Sequence, residues 1–244
     1  PDGLFEHKAE PTAENLAEVL SAVPRCGAAI GFCQDPDADR LAVIDAGGRY
    51  LGEEYTVAII ANHVLSSRRG TVVTNCSTSR MTEAIAQRHG QPHFRSAVGE
   101  ANVVDMMLAK DAVFGGEGNG GPIDPRVGLV RDSFVGMAQL LDAMAARRFS
   151  IRQLADELPR YAIVKTTIDL ASNLVGPGLD ALEQHFDTAR ADRLDGLRLD
   201  WPEAWLLVRP SNTEPIVRAV AEAPDPDEAR RLCDEAADVL RRLK

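Results

Sequence analysis

The sequence predicts an α/β protein with a largely parallel mixed sheet, followed by an α+β C-terminal region. Three observations predict it. Between residues 50 and 149, short apolar strand patterns alternate with helix patterns across brief connections, the pattern of parallel βαβ units. From about residue 150 the strands cluster around turn signals and the helices stand apart from them, which reads as α+β. With 244 residues, 45% hydrophobic and 26% charged, the chain has material for a sizeable core and the balance of a globular protein. These shifts divide it into 1–48, 49–149 and 150–244.

Residues 1–12 are rich in Pro, Gly and charge and read as a loop. Leu16, Val19, Leu20 and Val23 fall on one face of a short helix over 12–23. Two apolar stretches, 28–33 and 41–44, read as buried strands, and 46–48 is a Gly-rich turn. A helix over 55–65, a strand over 71–74 and a helix over 81–89 follow, with Gly90 as left-handed cap. Residues 94–97 are a strand, and Gly99-Glu100 opens a helix to 108, with capping the default role for the acid. A strand over 112–114 runs into glycines, and Asp132 caps a long helix over 133–146. The last region holds a strand at 163–168, a helix at 178–186, a hairpin of 197–201 with 205–209, a strand at 216–221 and an amphipathic helix over 227–243.

Between the first two strands lies Asp35-Pro36-Asp37-Ala38-Asp39-Arg40, at the carboxyl end of the first, where ligands bind in open α/β sheets. In an extended segment, positions i, i+2 and i+4 aim their side chains the same way. Three carboxylates held together repel and take up protons unless a cation fills the gap. Oxygen donors without Cys or His suit a hard ion, Mg²⁺ ahead of Ca²⁺ or Mn²⁺. Arg40 adds a fixed positive charge suited to a phosphate oxygen. Asp-Pro-Asp is also ordinary turn chemistry, and Asp225-Pro226-Asp227-Glu228 provides an internal contrast. That stretch precedes a helix pattern and reads as an N-terminal cap with acids complementing the helix dipole. The third aligned Asp, the Arg and the flanking strands set the first loop apart.

Two further loops carry chemistry. Gly115-Gly116-Glu117-Gly118-Asn119-Gly120-Gly121 follows an apolar strand, and its glycines permit close backbone approach. Glu117 accepts hydrogen bonds and Asn119 both donates and accepts, a pairing suited to vicinal sugar hydroxyls. No Gly-Lys-Ser/Thr follows, so this is not a P-loop. Arg209-Pro210-Ser211-Asn212-Thr213-Glu214-Pro215 lies between two strands. Its Ser, Asn and Thr groups and successive backbone amides form an anion nest, with Arg209 and Arg218 as cationic forks. Cys76-Ser77-Thr78-Ser79-Arg80, between strand and helix, reads as an N-cap cluster or as a polar wall at the same rim.

A net charge of −10 argues against nucleic acid or an anionic membrane as partner. No apolar run is long enough to span a bilayer and no secretory signal is visible, so a cytoplasmic location is expected. Cys26, Cys33, Cys76 and Cys233 show no paired spacing and read as reduced thiols. The five histidines share no spacing and read as surface or packing residues.

In this order, the acidic loop, Gly-Glu-x-Asn-Gly-Gly and Arg-Pro-Ser-Asn-Thr-Glu-Pro resemble the α-D-phosphohexomutase superfamily, closest to its phosphoglucosamine mutase/phosphomannomutase branch. The resemblance covers nearly the whole chain, including Pro1-Asp2-Gly3, Phe5, His7 and Pro11-Thr12. It implies a four-domain enzyme of which this chain matches the end of the second domain (1–48), the third (49–149) and the phosphate-binding fourth (150–244). It implies Mg²⁺ on Asp35, Asp37 and Asp39, with Arg40 as the catalytic group beside the transferring phosphoryl. Glu117 and Asn119 would hold sugar hydroxyls. Arg209, Ser211, Asn212 and Thr213 would grip the phosphate that does not react. The implied reaction moves a phosphoryl group between C1 and C6 of a hexose or hexosamine phosphate by way of a phosphoserine.

Three departures stand out. The family's Ser-His-Asn-Pro stretch is not found, and Ala171-Ser172-Asn173-Leu174 lacks its His and Pro. The sugar loop ends Asn119-Gly120-Gly121 where many members have Ser-Gly-His, and Cys76 stands where several have Lys. The chain, which opens without Met, is therefore expected to be a C-terminal portion lacking its N-terminal domains and inactive alone. The alternative is a non-catalytic sugar-phosphate-binding module or half of a split mutase.

Overall fold

Residues 8–211 and 215–243 are described by a computed structural model. Their apolar segments build two separate cores, one in Pro1–Pro159 and one in Arg160–Lys244.

In the first unit, α1 (Ala17–Arg25) begins later than the 12–23 expected. The amides of Asn15 and Leu16 both bond to the Thr12 carbonyl, so residues 13–16 form an irregular turn ahead of the helix. β1 (Ile30–Gln34) and β2 (Leu41–Asp45) pair antiparallel as a two-stranded ribbon, Phe32 opposite Val43. The expectation of two buried strands holds only for β2. It is buried throughout because the helices Glu53–Ser67 and Ser133–Arg147 pack on it, whereas β1, packed against α1, is half-buried along its length.

Next come α2 (Glu53–Ser67), β3 (Thr71–Asn75), α3 (Arg80–Arg88), β4 (His93–Ser96), α4 (Glu100–Ala109), β5 (Ala112–Glu117), β6 (Gly121–Ile123), α5 (Ser133–Arg147) and α6 (Ile151–Asp156). The strands order as β4-β3-β5-β6. β3 runs parallel to β4 and to β5, as the strand–helix alternation predicts, and β6 adds an antiparallel edge. Nothing in Gly121-Pro122-Ile123 signals a strand. Its edge position accommodates Pro122, which has no amide to offer a ladder. Its pairing, Glu117 opposite Gly121, folds the glycine loop back as a tight turn. The Asp132 carboxylate caps α5, accepting from the Phe134 and Val135 amides at 2.9 and 3.1 Å.

The second unit contains β7 (Ala162–Asp169), a 3₁₀ turn (Ser172–Leu174), α7 (Val175–His185), β8 (Arg190–Asp192), β9 (Leu197–Asp200), β10 (Trp205–Pro210), β11 (Ile216–Ala223) and α8 (Pro226–Arg241). All its strand pairs are antiparallel, in the order β7-β11-β10-β9-β8, which is the α+β arrangement expected. Alternation sorts the two faces. Leu197, Leu199, Leu206, Val208, Ala219 and Ala221 point to one side, into a core shared with Leu182 of α7 and Leu240 of α8. On the other side Trp205 stands opposite Asp200 and Glu222. Its indole donates to Glu222 at 2.7 Å and the Arg198 guanidinium stacks on its ring at 4.1 Å. Asp225 caps α8 by accepting from the Asp227 amide at 2.7 Å, so the second Asp-Pro-Asp is a helix start. The four cysteines are free thiols. Among the described residues, no helix is long and apolar enough to cross a membrane.

Candidate active site

The acidic loop does not continue β1 in extended form. Residues 36–38 turn, and Ala38 takes a left-handed φ of 59°. The Ala38 amide bonds to the Asp35 carbonyl at 3.1 Å. Asp35 Oδ1 accepts from the amides of Asp39 and Arg40 at 3.2 and 3.0 Å. A non-glycine residue in that conformation costs roughly 1–2 kcal/mol. Two bonds from the start of α5 hold it: Ser133 N and Oγ both donate to the Ala38 carbonyl, at 3.2 and 2.6 Å. The turn achieves what alternation was expected to achieve. One carboxylate oxygen from each of Asp35, Asp37 and Asp39 lies within 4.8 Å of the others.

Asp39 is strongly perturbed. Burial is the largest cause raising its pKa, to about 6. A hydrogen bond with Asp35 and the charges of Asp35 and Asp37 add to it, while the Arg131 guanidinium opposes it. Asp39 Oδ1 is buried without a hydrogen-bond partner, with Arg40 Nε at 3.9 Å. Arg40 Nε also faces Asp35 Oδ2 at 3.3 Å, and its Nη1 faces Glu10 at 3.4 Å. The side chain remains one-third exposed, at 33%.

Glu117 lies at the end of β5, not in the glycine turn, and is buried. Its Oε1 accepts from Asn75 Nδ2 at 2.6 Å and from the Gly99 amide at 2.9 Å, and its Oε2 pairs with Arg131 at 2.9 Å. Asn119 sits in the turn at 118–120, its Oδ1 buried without a hydrogen-bond partner. The turn is fixed from two sides. Thr78 Oγ1 accepts from the Gly118 amide at 3.0 Å, and the Gly120 carbonyl accepts from the Leu41 amide at 3.0 Å. The second bond ties the glycine turn to the residue that follows Arg40, so both loops share one framework.

Gly120 takes a φ of +85°, and a Cβ there would lie 2.5 Å from the Leu41 carbonyl oxygen. Gly120→Ala is therefore expected to destabilise the first unit by roughly 3 kcal/mol through left-handed strain and backbone displacement. Chemical denaturation followed by circular dichroism reads this.

Sequence reasoning missed Arg131, which joins the two loops. Its Nη2 bonds Asp39 Oδ2, its Nη1 lies 2.9 Å from Glu117, and its Nε lies 3.1 Å from Glu100. Glu100 also accepts from the Arg131 amide at 3.0 Å, so the acid that opens α4 serves Arg131 as well as the helix start. One signal was available. A cation just ahead of the N-cap of a 15-residue helix opposes the helix dipole, and such a misfit calls for nearby acids. Asn75, whose Oδ1 also accepts from Ser77 and Thr78, was missed as well. Ser79 caps α3, accepting from the Met81 amide at 3.1 Å, as the N-cap reading expects. Cys76 is buried.

In the second unit, Arg209 and Arg218 are direct cross-strand partners on β10 and β11, so their side chains project to one face. Arg218 is exposed. Arg209 is not held open as a cationic fork: its Nε pairs with Asp195 at 3.0 Å. The Ser211 amide donates to the Ile216 carbonyl at 2.9 Å and closes the base of the loop. Asn212 and Thr213 lie outside the described residues.

Three family models match the chain. They are phosphoglucomutase/phosphomannomutase alpha/beta/alpha domain II over residues 1–48, alpha/beta/alpha domain III over 52–161, and the C-terminal domain over 171–239. A phosphoglucomutase/phosphomannomutase of Thermococcus kodakarensis is 35% identical over 98% of this chain and 53% of its own length. A protein of Methanopyrus kandleri described as "Probable phosphoglucosamine mutase" is 30% identical over 99% of this chain and 54% of its own. The chain thus spans about half the length of these curated relatives. In fold it is similar to a phosphoglucomutase/phosphomannomutase family protein of Burkholderia thailandensis, with a TM-score of 0.83, 24% identity, 97% of this chain covered and 52% of that one.

Proposed function

Because the chain belongs to the α-D-phosphohexomutase superfamily, we propose that it supplies the metal, sugar and phosphate loops of a Mg²⁺-dependent mutase acting between C1 and C6 of a hexose or hexosamine phosphate. The observation that carries this reading is the adjacency of the two loops in the first unit: Asp39 and Glu117 are bonded to the same guanidinium. A metal loop beside a hydroxyl-recognising loop suits a phosphosugar.

The donor set fits a hard divalent ion. Three carboxylates converge, and a buried Asp39 oxygen has no hydrogen-bond partner. Asp35, Asp37 and Asp39 would hold the ion, which when bound neutralises charge on a phosphoryl oxygen. Arg40, with a third of its side chain exposed, offers a guanidinium to the transferring phosphoryl. Glu117 and Asn119 orient the sugar through its hydroxyls. Arg209, Ser211, Asn212, Thr213 and Arg218 receive the distal phosphate, which requires Arg209 to exchange its Asp195 partner for the anion. Phosphoryl transfer needs chiefly positioning and charge stabilisation, and these residue types supply both.

The donor serine of the mutase reaction is sought in a Ser-His-Asn-Pro stretch, which these 244 residues do not contain. The purified 244 residues are therefore expected to show no phosphoglucosamine or phosphomannose mutase turnover, in a coupled assay primed with a hexose bisphosphate. Turnover by them alone would contradict the need for a serine from elsewhere.

Asp39 gives the site a pH signature. Its carboxyl titrates near 6 in the folded chain against 3.8 ordinarily. Without metal, the folded state binds the proton more tightly than the unfolded state, so stability declines as pH rises from about 4 to 6. Metal binding must expel that proton, so Mg²⁺ affinity falls as pH drops below about 6, by at most about tenfold per unit. Thermal melts and Mg²⁺ titrations over this window are expected to move in opposite directions.

A further inference from the structure

Arg131 touches both loops and the start of α4. It bonds Asp39, Glu117 and Glu100, and only 14% of its side chain is exposed. Its stem is tightly seated: a Cβ on Gly121 would lie 2.4 Å from Arg131 Cδ. The surroundings are strongly acidic. Asp35, Asp37, Asp39, Glu100 and Glu117 contribute five carboxylates, against the guanidinium groups of Arg40 and Arg131. A cation ahead of the N-terminus of α5 gains nothing from the helix dipole, so the carboxylates account for its position.

Resting on the metal-site reading above, we infer that Arg131 is a positioning residue, a built-in counter-cation that shares Asp39 with the divalent ion and ties occupation of the acidic loop to the orientation of Glu117. Arg131 holds Asp39 Oδ2, while Oδ1 is the buried oxygen without a hydrogen-bond partner. An ion ligated by Asp39 therefore has a fixed positive charge across the same carboxylate. That repulsion keeps the ion exchangeable. It also loosens the Arg131–Asp39 bond when the ion arrives, and the guanidinium leans further on Glu117, whose Oε2 it already holds at 2.9 Å.

The test uses the full 244-residue chain with Mn²⁺ as probe, free ion being counted by electron paramagnetic resonance. Arg131→Met is expected to tighten Mn²⁺ binding about tenfold, because a unit charge a few ångströms from the ion is removed. Arg131→Lys keeps the charge and is expected to stay near the wild-type value. In the unsubstituted chain, the Arg131 Nε–H resonance is expected to shift on Mg²⁺ titration and to saturate with the same dissociation constant. This reading does not depend on whether Arg131→Met folds. A merely structural Arg131 gives a different outcome: a lower melting temperature in Arg131→Met, unchanged or weaker Mn²⁺ affinity, and an Nε signal blind to Mg²⁺. Either of the last two overturns the inference. Asp37→Ala separates it from its premise. If Asp37→Ala abolishes binding and Arg131→Met leaves it unchanged, the metal site stands and the inference falls. If the unsubstituted chain shows no saturable Mn²⁺ site, both fall.

Discussion

Replacing Asp37 by Ala is expected to raise the Mg²⁺ dissociation constant of the chain roughly 100-fold, with little change in its melting temperature. Asp37 is the exposed member of the trio, and among the described residues its side chain makes no hydrogen bond or ion pair. Its removal therefore deletes a ligand and a charge without dismantling the turn. Asp35 lacks that independence, because its Oδ1 holds the amides of Asp39 and Arg40. Asp35→Ala is expected to disorder the loop as well as weaken the ion. Asp37→Asn keeps an oxygen and loses the charge, so its affinity should fall between wild type and Asp37→Ala. Isothermal titration with Mg²⁺, paired with thermal melts, separates ligand loss from loop collapse.

Trp205→Ala is expected to destabilise the second unit by roughly 5 kcal/mol, enough to unfold much of it at physiological temperature. Trp205 has no exposed surface and occupies the middle of a five-stranded sheet. Its loss leaves a cavity and removes the indole donor from Glu222, which is itself fully buried. It also removes the ring on which Arg198 stacks. Trp205→Phe retains an aromatic face and loses the N–H, so it should cost about 1–3 kcal/mol, the cost of leaving a buried acceptor without its donor. The difference between the two, read from urea denaturation, apportions packing and hydrogen bonding. Such destabilisation would also remove the platform that carries Arg209 and Arg218.

Much of the fold was legible because it rests on local pattern. The apolar runs of β2, β3 and β5 and the caps at Asp132 and Asp225 are short-range signals, and each lies where the sequence places it. β6 was not legible: Gly-Pro-Ile becomes a strand only because β5 lies beside it. The start of α1 was misjudged because apolar spacing says nothing of the bonds that Asn15 and Leu16 make to Thr12.

The candidate site divides the same way. Asp35, Asp37 and Asp39 are neighbours in sequence, so their convergence was readable. The means was not: extended alternation was expected, and a left-handed Ala38 held by Ser133 takes its place. Arg131 and Asp39 are 92 positions apart, and no short-range pattern joins them. Arg209 was read as a ready phosphate fork because Asp195, its partner across a turn, lies outside the motif.

The central claim is that the acidic loop and the glycine turn form one metal-dependent phosphosugar site. Nuclear relaxation of a hexose 1-phosphate in the presence of the 244-residue chain and Mn²⁺ tests it most directly. The proposal requires enhanced relaxation of the sugar carbons that is abolished by Asp37→Ala and reduced by Asn119→Ala. Saturable Mn²⁺ binding with no enhancement at the sugar, or enhancement indifferent to both substitutions, would contradict it.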